Sequence, residues 1–259
     1  MLPRLLPLTT LAALLALAAA RADDAARKAV DDLLSRSAAR NASVRPITDD
    51  PVSRALPGCS LFAVGFRQYP VAVAPPEPFA SANVVAVTGG RAEVLRDRDA
   101  LERYFRAHLA PVRDPAAARA AAHAWVRLSQ ELHQDGFFRF TIPADAVTAD
   151  RDARTARARA VVEPTGGNKG QIDVTLAFDA DGKLARADEK AAVRAGVRPI
   201  CQAKKLLDPD PVVRAMAEKD ILVMGQSCRD YLLEQRAAAP LQLKAALDRL
   251  WQRILDEDR

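Results

Sequence analysis

Three short stretches of this chain hold side chains of the kind that carry chemistry. The first is His133-Gln134-Asp135-Gly136, taken together with His123. Histidine titrates near neutral pH, so a histidine beside an aspartate suits general acid–base work. On one helix the two histidines stand ten residues apart, and at about 100° per residue they point about 80° away from each other. That spread does not suit a shared metal ion. A polar helix end accounts for the same residues, with His133 favoured by the helix dipole and Gly136 as the cap.

The second stretch is Gly166-Gly167-Asn168-Lys169-Gly170. Glycines beside a lysine suggest a phosphate loop, but that loop needs Gly-Lys followed by Ser or Thr and then a helix. Here Gly170 and Gln171 open a strand pattern, so a flexible hairpin loop is expected. The third is Asp179-Ala180-Asp181-Gly182. It lacks the further acid and the distant glutamate of an EF-hand calcium loop, and an Asp-Gly hairpin turn explains it. Gly-x-Ser-x-Gly, His-Glu-x-x-His and Cys-x-x-Cys are all missing from the sequence. No catalytic residue is therefore assigned beyond one alternative set, His123, His133 and Asp135. No cofactor or metal is expected.

The elements that position these groups can be read from periodicity. Residues 24–39 place Ala26, Val30, Leu33 and Leu34 on one helical face. A linker rich in prolines and turn formers is expected over 41–58. Phe62, Val64 and Phe66 then alternate as in a half-buried strand, and Gly89-Gly90 supplies the tight turn of a hairpin. Asp99 with Glu102 offers a capping box for a helix carrying Leu101, Tyr104, Phe105 and Leu109. Asp114-Pro115 starts a second helix, which Gly136 ends. Strand patterns return from Phe137 to Val193, with Ile172, Val174, Leu176 and Phe178 facing inward and Arg157 and Arg159 on a wet face. The expected class is α+β: a curved antiparallel sheet with helices on one face, followed by an α-helical C-terminal module. The expected divisions are a signal segment 1–22, an N-terminal helix and linker 23–58, an α+β domain 59–197 and a helical module 198–259.

In that module, helices are expected over 199–207, 211–236 and 240–256. The segment Asp208-Pro209-Asp210-Pro211-Val212-Val213-Arg214-Ala215-Met216-Ala217 is similar to the opening of a HEAT repeat. The resemblance implies a helix start whose arginine and acid hold neighbouring turns together. It covers about 20 residues with no second copy at the usual spacing, so the helices are expected to cap the α+β domain. The order of elements before them resembles the cystatin-like or NTF2-like roll. Such folds host binding proteins, inhibitors and enzymes alike.

Residues 1–22 read as a cleavable export signal: Arg4 as the basic region, an uncharged stretch from Leu5 to Ala20, and Ala20-Arg21-Ala22 as the cleavage site. Only 16 residues separate Arg4 from Arg21, short of the roughly 20 that span a bilayer. No cysteine stands at the cleavage point to accept a lipid. Arg4 and Arg21 carry away two of the five net positive charges. The remaining charges are interspersed, without a basic block among aromatics, which argues against a nucleic-acid partner. Three cysteines follow, Cys59, Cys201 and Cys228. In an oxidising compartment Cys201 and Cys228 are the candidate disulfide, with three buried thiols as the other reading. Asn41-Ala42-Ser43 matches a glycosylation sequon.

Export, two parts and no catalytic motif lead to one expectation: an exported non-enzymatic binding or scaffold protein, its partner a protein or small ligand. It makes no stable membrane insertion and resides in the periplasm or the medium. The alternative is a small-ligand binder or enzyme of NTF2-like type. Its pocket would lie between helices and sheet, with His123, His133 and Asp135 among its polar groups and Tyr104 nearby.

Overall fold

A computed structural model of the chain describes residues 24–68, 72–196 and 202–257. The signal segment 1–22 and Cys201 lie outside them. Helix α1 (24–36) buries the expected stripe of Ala26, Val30 and Leu34. It lays that stripe on Phe62, Val64, Phe66, Val85 and Val87.

The segment expected as a linker carries two elements. Strand β1 (Ala42–Pro46) follows Asn41, whose φ of 62° reverses the chain. Ala42 and Val44 turn toward α1, so by strand alternation Ser43 and Arg45 face the other way. Helix α2 (Asp50–Ala55) is capped by Asp49, whose side chain accepts from the Val52 N–H at 3.1 Å, and it has Pro51 in its first turn. The prolines that suggested a linker stand where a strand ends and a helix begins, places that tolerate a missing N–H.

Strands β2 (Cys59–Phe66), β3 (Ala82–Thr88) and β4 (Arg91–Leu95) join β1 in one antiparallel sheet, ordered β1-β2-β3-β4. Val44 stands opposite Val64, and Val64 opposite Asn83. Gly89 and Gly90, with φ of 56° and 78°, make the two-residue turn that sets Thr88 opposite Arg91. Residues Ala82 to Val87 are buried without alternation, because both faces of this sheet are covered.

Helix α3 (Arg98–His108) starts two residues earlier than the capping box suggested. Asp97 caps it by accepting from the Ala100 N–H at 2.8 Å, and Asp99 sits in its first turn. Helix α4 (Pro115–Leu132) is capped by Asp114 as expected, but it stops at Leu132 with His133 as C-cap. Gly136 lies in the loop beyond.

The strands after α4 form a second sheet. Its order is β5 (Phe140–Thr141), β7 (Thr155–Val162), β8 (Lys169–Phe178), β9 (Leu184–Arg194), with β6 (Thr148–Ala149) also on β7. Ala156, Ala158, Ala160, Ile172, Val174 and Leu176 form its buried face, while Arg159 on the outer face reaches Asp173 across the strands at 2.6 Å. The two sheets do not join, because α3 covers the free edge of β9. Arg98 donates to the Ala187 carbonyl at 2.6 Å, and Arg106 donates to those of Leu184 and Ala185, each at 2.9 Å. An edge whose carbonyls are satisfied by guanidinium groups offers a poor template for another strand.

Helix α4 therefore runs between two sheets, against β3 on one side and β7 and β8 on the other, with α2 alongside. Eleven of its 18 residues are buried, the signature of a helix enclosed on all sides. Alanines at 118, 121, 122 and 124 let the backbones approach, and Trp125 fills the widest gap with its ring against Phe105 at 5.0 Å. The class is thus α+β with antiparallel sheets, as expected, but in two sheets around one central helix.

The C-terminal residues form a separate apolar cluster. A short 3-10 helix at Ala203–Leu207 precedes α5 (Pro211–Met224), α6 (Arg229–Ala237) and α7 (Leu241–Glu257). The expected helix over 211–236 is broken at Gly225 into α5 and α6. Ile221, Met224, Leu232, Leu243, Leu247 and Ile254 pack together. Arg236 grips Asp248 through two contacts of 2.6 and 3.0 Å, tying α6 to α7. Among the described residues no helix is long and apolar enough to cross a membrane.

Candidate binding cleft

The three sequence-selected polar residues do not converge. His123 Nε2 lies 3.2 Å from Asp49 Oδ2, with both side chains about four-fifths buried (21% and 19% exposed). The same Asp49 caps α2, so His123 braces α4 against that helix. His133 Nε2 lies 3.5 Å from Glu189 Oε1 on β9. Asp135 Oδ1 accepts from the Phe137 N–H at 2.9 Å and shapes the loop after α4. Ten residues of helix separate the histidines by about 15 Å, and each meets a different acid.

Glu189 is the more deeply buried of the two acids that meet the histidines. Its side chain is 5% exposed, and Trp125 Nε1 donates to its Oε2 at 2.7 Å. Burial alone would raise its pKa, but hydrogen bonding from His133 and Trp125 prevails and holds it below the usual value. The buried Ser129 hydroxyl adds to this effect without making a full hydrogen bond of its own. The result is a structural link between α4 and β9. Tyr104, the other member of the alternative pocket, is in the core, its OH 2.7 Å from Thr88 Oγ1, which in turn reaches Cys59 Sγ at 3.4 Å. Burial pushes the Tyr104 phenol well above its ordinary value.

The remaining motifs resolve into architecture. Asn168, 2% exposed, donates to the Phe137 carbonyl and accepts from the Gly196 N–H, each at 3.0 Å. The glycine-rich loop expected to be flexible therefore staples the end of α4 to the end of β9. Asp179 Oδ1 accepts from the N–H groups of Asp181 and Lys183, both at 2.9 Å, closing the β8–β9 turn. Cys228 is buried, and its Sγ donates to the Gly225 carbonyl at 3.0 Å. Among the described residues no group of three His, Cys, Asp or Glu side chains is placed to hold a metal ion.

A cleft of about 730 Å³ lies elsewhere, where α4 stops and the first sheet continues. Its floor is the α4-facing side of β1, β2 and β3. There Ser43, Ala63, Gly65 and Ala82 carry little or no side chain, so ending the helix leaves open space instead of a second apolar layer. The walls are Arg45 with Glu131, the loop Gln134–Phe137, and Gln226 and Arg229 of the C-terminal helices. Asn83 fixes the far end, donating to the carbonyls of Val64 at 3.1 Å and Ala80 at 2.7 Å and accepting from the Ala80 N–H at 2.8 Å.

The electrostatics of the cleft centre on Glu131. Its side chain is 4% exposed, yet both oxygens accept from Arg45 Nη2, at 2.9 and 2.8 Å, and Oε1 also from Arg127. Two cations offset one buried anion, which makes its burial tolerable. Arg67, at the end of β2, meets Glu234 of α6 at 3.0 Å and so ties the sheet to the C-terminal helices. Arg27 reaches around the edge of β1 to the Val44 carbonyl at 3.4 Å. Among the described residues, four arginines and two acids line the cleft, with no lysine or histidine. Periodicity could not reveal this site, because Arg45 fell in the expected linker and Arg67 at the ragged end of a strand. Their common position follows only from the pairing of β1 with β2. Of the alternative catalytic set His123, His133 and Asp135, Asp135 alone borders it, together with its motif neighbours Gln134 and Gly136 and the sequon Asn41-Ala42-Ser43.

Among the described residues, the exposed large hydrophobic side chains all lie in the C-terminal part: Leu207, Val212, Met216, Val223, Leu233 and Leu241. No family model matches the chain, and no curated protein or solved structure matches it.

Proposed function

We propose that this is an exported, non-enzymatic binding protein whose site is the cleft between the first sheet, the end of α4 and the C-terminal helices. The observation that carries the reading is the cleft itself. Its volume falls in the range of about 300–1,000 Å³ usual for ligand sites, and its walls come from both parts of the chain. The non-enzymatic character rests on the fate of the reactive side chains. His123, His133 and Glu189 are each engaged in ties between elements, away from the cleft. Export rests on the sequence of residues 1–22.

The C-terminal helices serve this reading as a wall and brace. Their HEAT-like opening is part of the proposal. Arg214 Nη1 donates to the carbonyls of Asp208 at 2.7 Å and Pro209 at 2.9 Å, and Asp210 caps α5. That use of arginine and acid supports the resemblance.

Gly65 provides the test. A Cβ there meets Ser43 Oγ at 3.3 Å, so Gly65→Leu projects a side chain from the floor into the cleft. Ligand capture from the exported fraction with the wild-type chain should recover a species that Gly65→Leu, folded by circular dichroism, fails to recover. An identical capture set from both chains would reject the cleft as the binding site.

A further inference from the structure

We infer that the cleft recognises an anion through carboxylate or phosphate oxygens, with arginine forks as the recognising groups. This rests on the cleft being the binding site and names the chemistry of its ligand. Three observations lead to it.

The first is composition. Among the described residues that line the cleft, the cations are the arginines Arg27, Arg45, Arg67 and Arg229, and the acids are Glu131 and Asp135. Arginine is a planar fork whose donors match the oxygens of a carboxylate or phosphate in pairs.

The second is the state of the two acids. Glu131 has its oxygens committed to Arg45 and Arg127, the latter standing behind the wall. Asp135 has one oxygen committed to the loop backbone. The one deeply buried anion beside the cleft is therefore already paired twice, and neither acid is left as a bare carboxylate facing a ligand.

The third is the posture of Arg45. It uses Nη2 alone on Glu131, which leaves its Nε and Nη1 donors without a partner among the described residues, and its side chain is 58% exposed. Glu131 thus holds the guanidinium in place while three N–H groups remain for a second oxyanion. Arg27 is similar: Nε binds Asp31 and Nη1 binds Val44, and Nη2 is left over. A guanidinium anchored by one carboxylate loses less rotamer entropy when it binds another. The small side chains of Ser43, Ala63 and Gly65 leave room for the ligand body beneath these donors.

The test uses the exported full chain and three probes: succinate, inorganic phosphate, and uncharged succinamide. Binding is followed by amide chemical shifts and by thermal shift at low salt. Saturable binding of succinate or phosphate, with shifts confined to cleft residues, is expected; the one that binds more tightly identifies which oxyanion is read. Arg45→Gln and the exposed Arg229→Gln should each weaken it by about tenfold, the scale of one charge-assisted contact. Arg45→Gln leaves Glu131 its Arg127 partner and should stay folded. Higher salt should weaken binding as well. Succinamide binding as well as succinate, or anion binding indifferent to both arginine substitutions, would overturn the inference. So would the absence of saturable binding by either anion. If Gly65→Leu nevertheless abolishes capture of a ligand, the cleft remains the site and only its ligand class is wrong; if capture is also indifferent to Gly65→Leu, both readings fall.

Discussion

Removing the charge of Glu131 should weaken the fold and strengthen the cleft at once. In Glu131→Gln the shape is kept, but two guanidinium groups lose their carboxylate. Their exposures differ: Arg127 is 16% exposed at its side chain and Arg45 is 58%. Breaking a fully buried pair costs about 3–5 kcal/mol, whereas an exposed guanidinium recovers most of its solvation and contributes about 0–1 kcal/mol. Arg45 is free to turn to water, so the loss should come chiefly from Arg127. The amide oxygen can still accept one hydrogen bond, which reduces the loss to about 2–3 kcal/mol. For a chain of this size that lowers Tm by about 5–10 °C. Urea unfolding of the wild type and Glu131→Gln, with Arg45→Ala and Arg127→Ala in double-mutant cycles, measures it. The Arg127 coupling should exceed the Arg45 coupling. In the cleft, deleting one negative charge about 6 Å from a bound anion in a largely aqueous setting is worth about 1 kcal/mol, or about a fivefold gain in succinate or phosphate affinity. A Glu131→Gln chain as stable as the wild type, within about 0.5 kcal/mol, would refute the account of the buried carboxylate. A chain that is destabilised as expected but binds anions no better would refute the electrostatic account of the cleft.

Other outcomes follow from the packing. The Glu189 carboxyl has a folded-state pKa below its ordinary value of 4.5, so its ionised form is bound more tightly in the folded chain. That stability is complete above the ordinary value and drains away as pH falls through the depressed one; Glu189→Gln should flatten this acid limb in urea midpoints taken between about pH 5 and pH 2.5. Gly182→Ala places a Cβ 2.2 Å from the Val112 carbonyl oxygen at a φ of +75° and should lower stability by about 2–4 kcal/mol. At Gly90, where the added Cβ meets nothing within 4 Å, alanine should lower it by only about 1 kcal/mol; equal losses in thermal melts would contradict the close approach. Ala121→Leu, at a position with no exposed surface between the sheets, should cost about 3 kcal/mol or more by overpacking, and a melt unchanged from wild type would mean that α4 has room that the structure does not show.

The sequence declared those elements whose local pattern and tertiary position agree. The alternation of Ile172, Val174, Leu176 and Phe178 marked β8, and all four are buried. Gly89-Gly90 and Asp114-Pro115 act where they were placed because turn and cap chemistry is local. The α+β class followed from the same agreement. What was hidden depended on partners far along the chain. β1 has five residues with proline at its end, and only pairing with β2 makes it a strand. A helix wrapped by two sheets looks, from its apolar stripe, like one lying on a single sheet, because its alanines fit either environment. The cap of α3 moved from Asp99 to Asp97 for a plainer reason: both aspartates precede an apolar stripe, and the turn after β4 decides between them. Among site residues, Asp135 was visible as a polar group next to a glycine. Arg45, Arg67 and Glu131 were not, since a charged residue in a linker, at a strand end or on a helix reads as solvated surface until the fold brings the three together.

The central helix has a consequence for how the molecule comes apart. With β3 on one flank and β7 and β8 on the other, α4 is the shared inner lining of two sheets that share no strand pairing among the described residues. Neither sheet can peel away without exposing the same row of alanines and Trp125, so both should lose protection together as one cooperative unit. The C-terminal helices, with their own cluster, are tied to that unit by Arg67 with Glu234 and by Phe137. Amide exchange should therefore see two classes of opening, a high-energy one that takes both sheets and a lower one that swings a wall of the cleft aside. The second is the motion by which a ligand enclosed there would enter and leave.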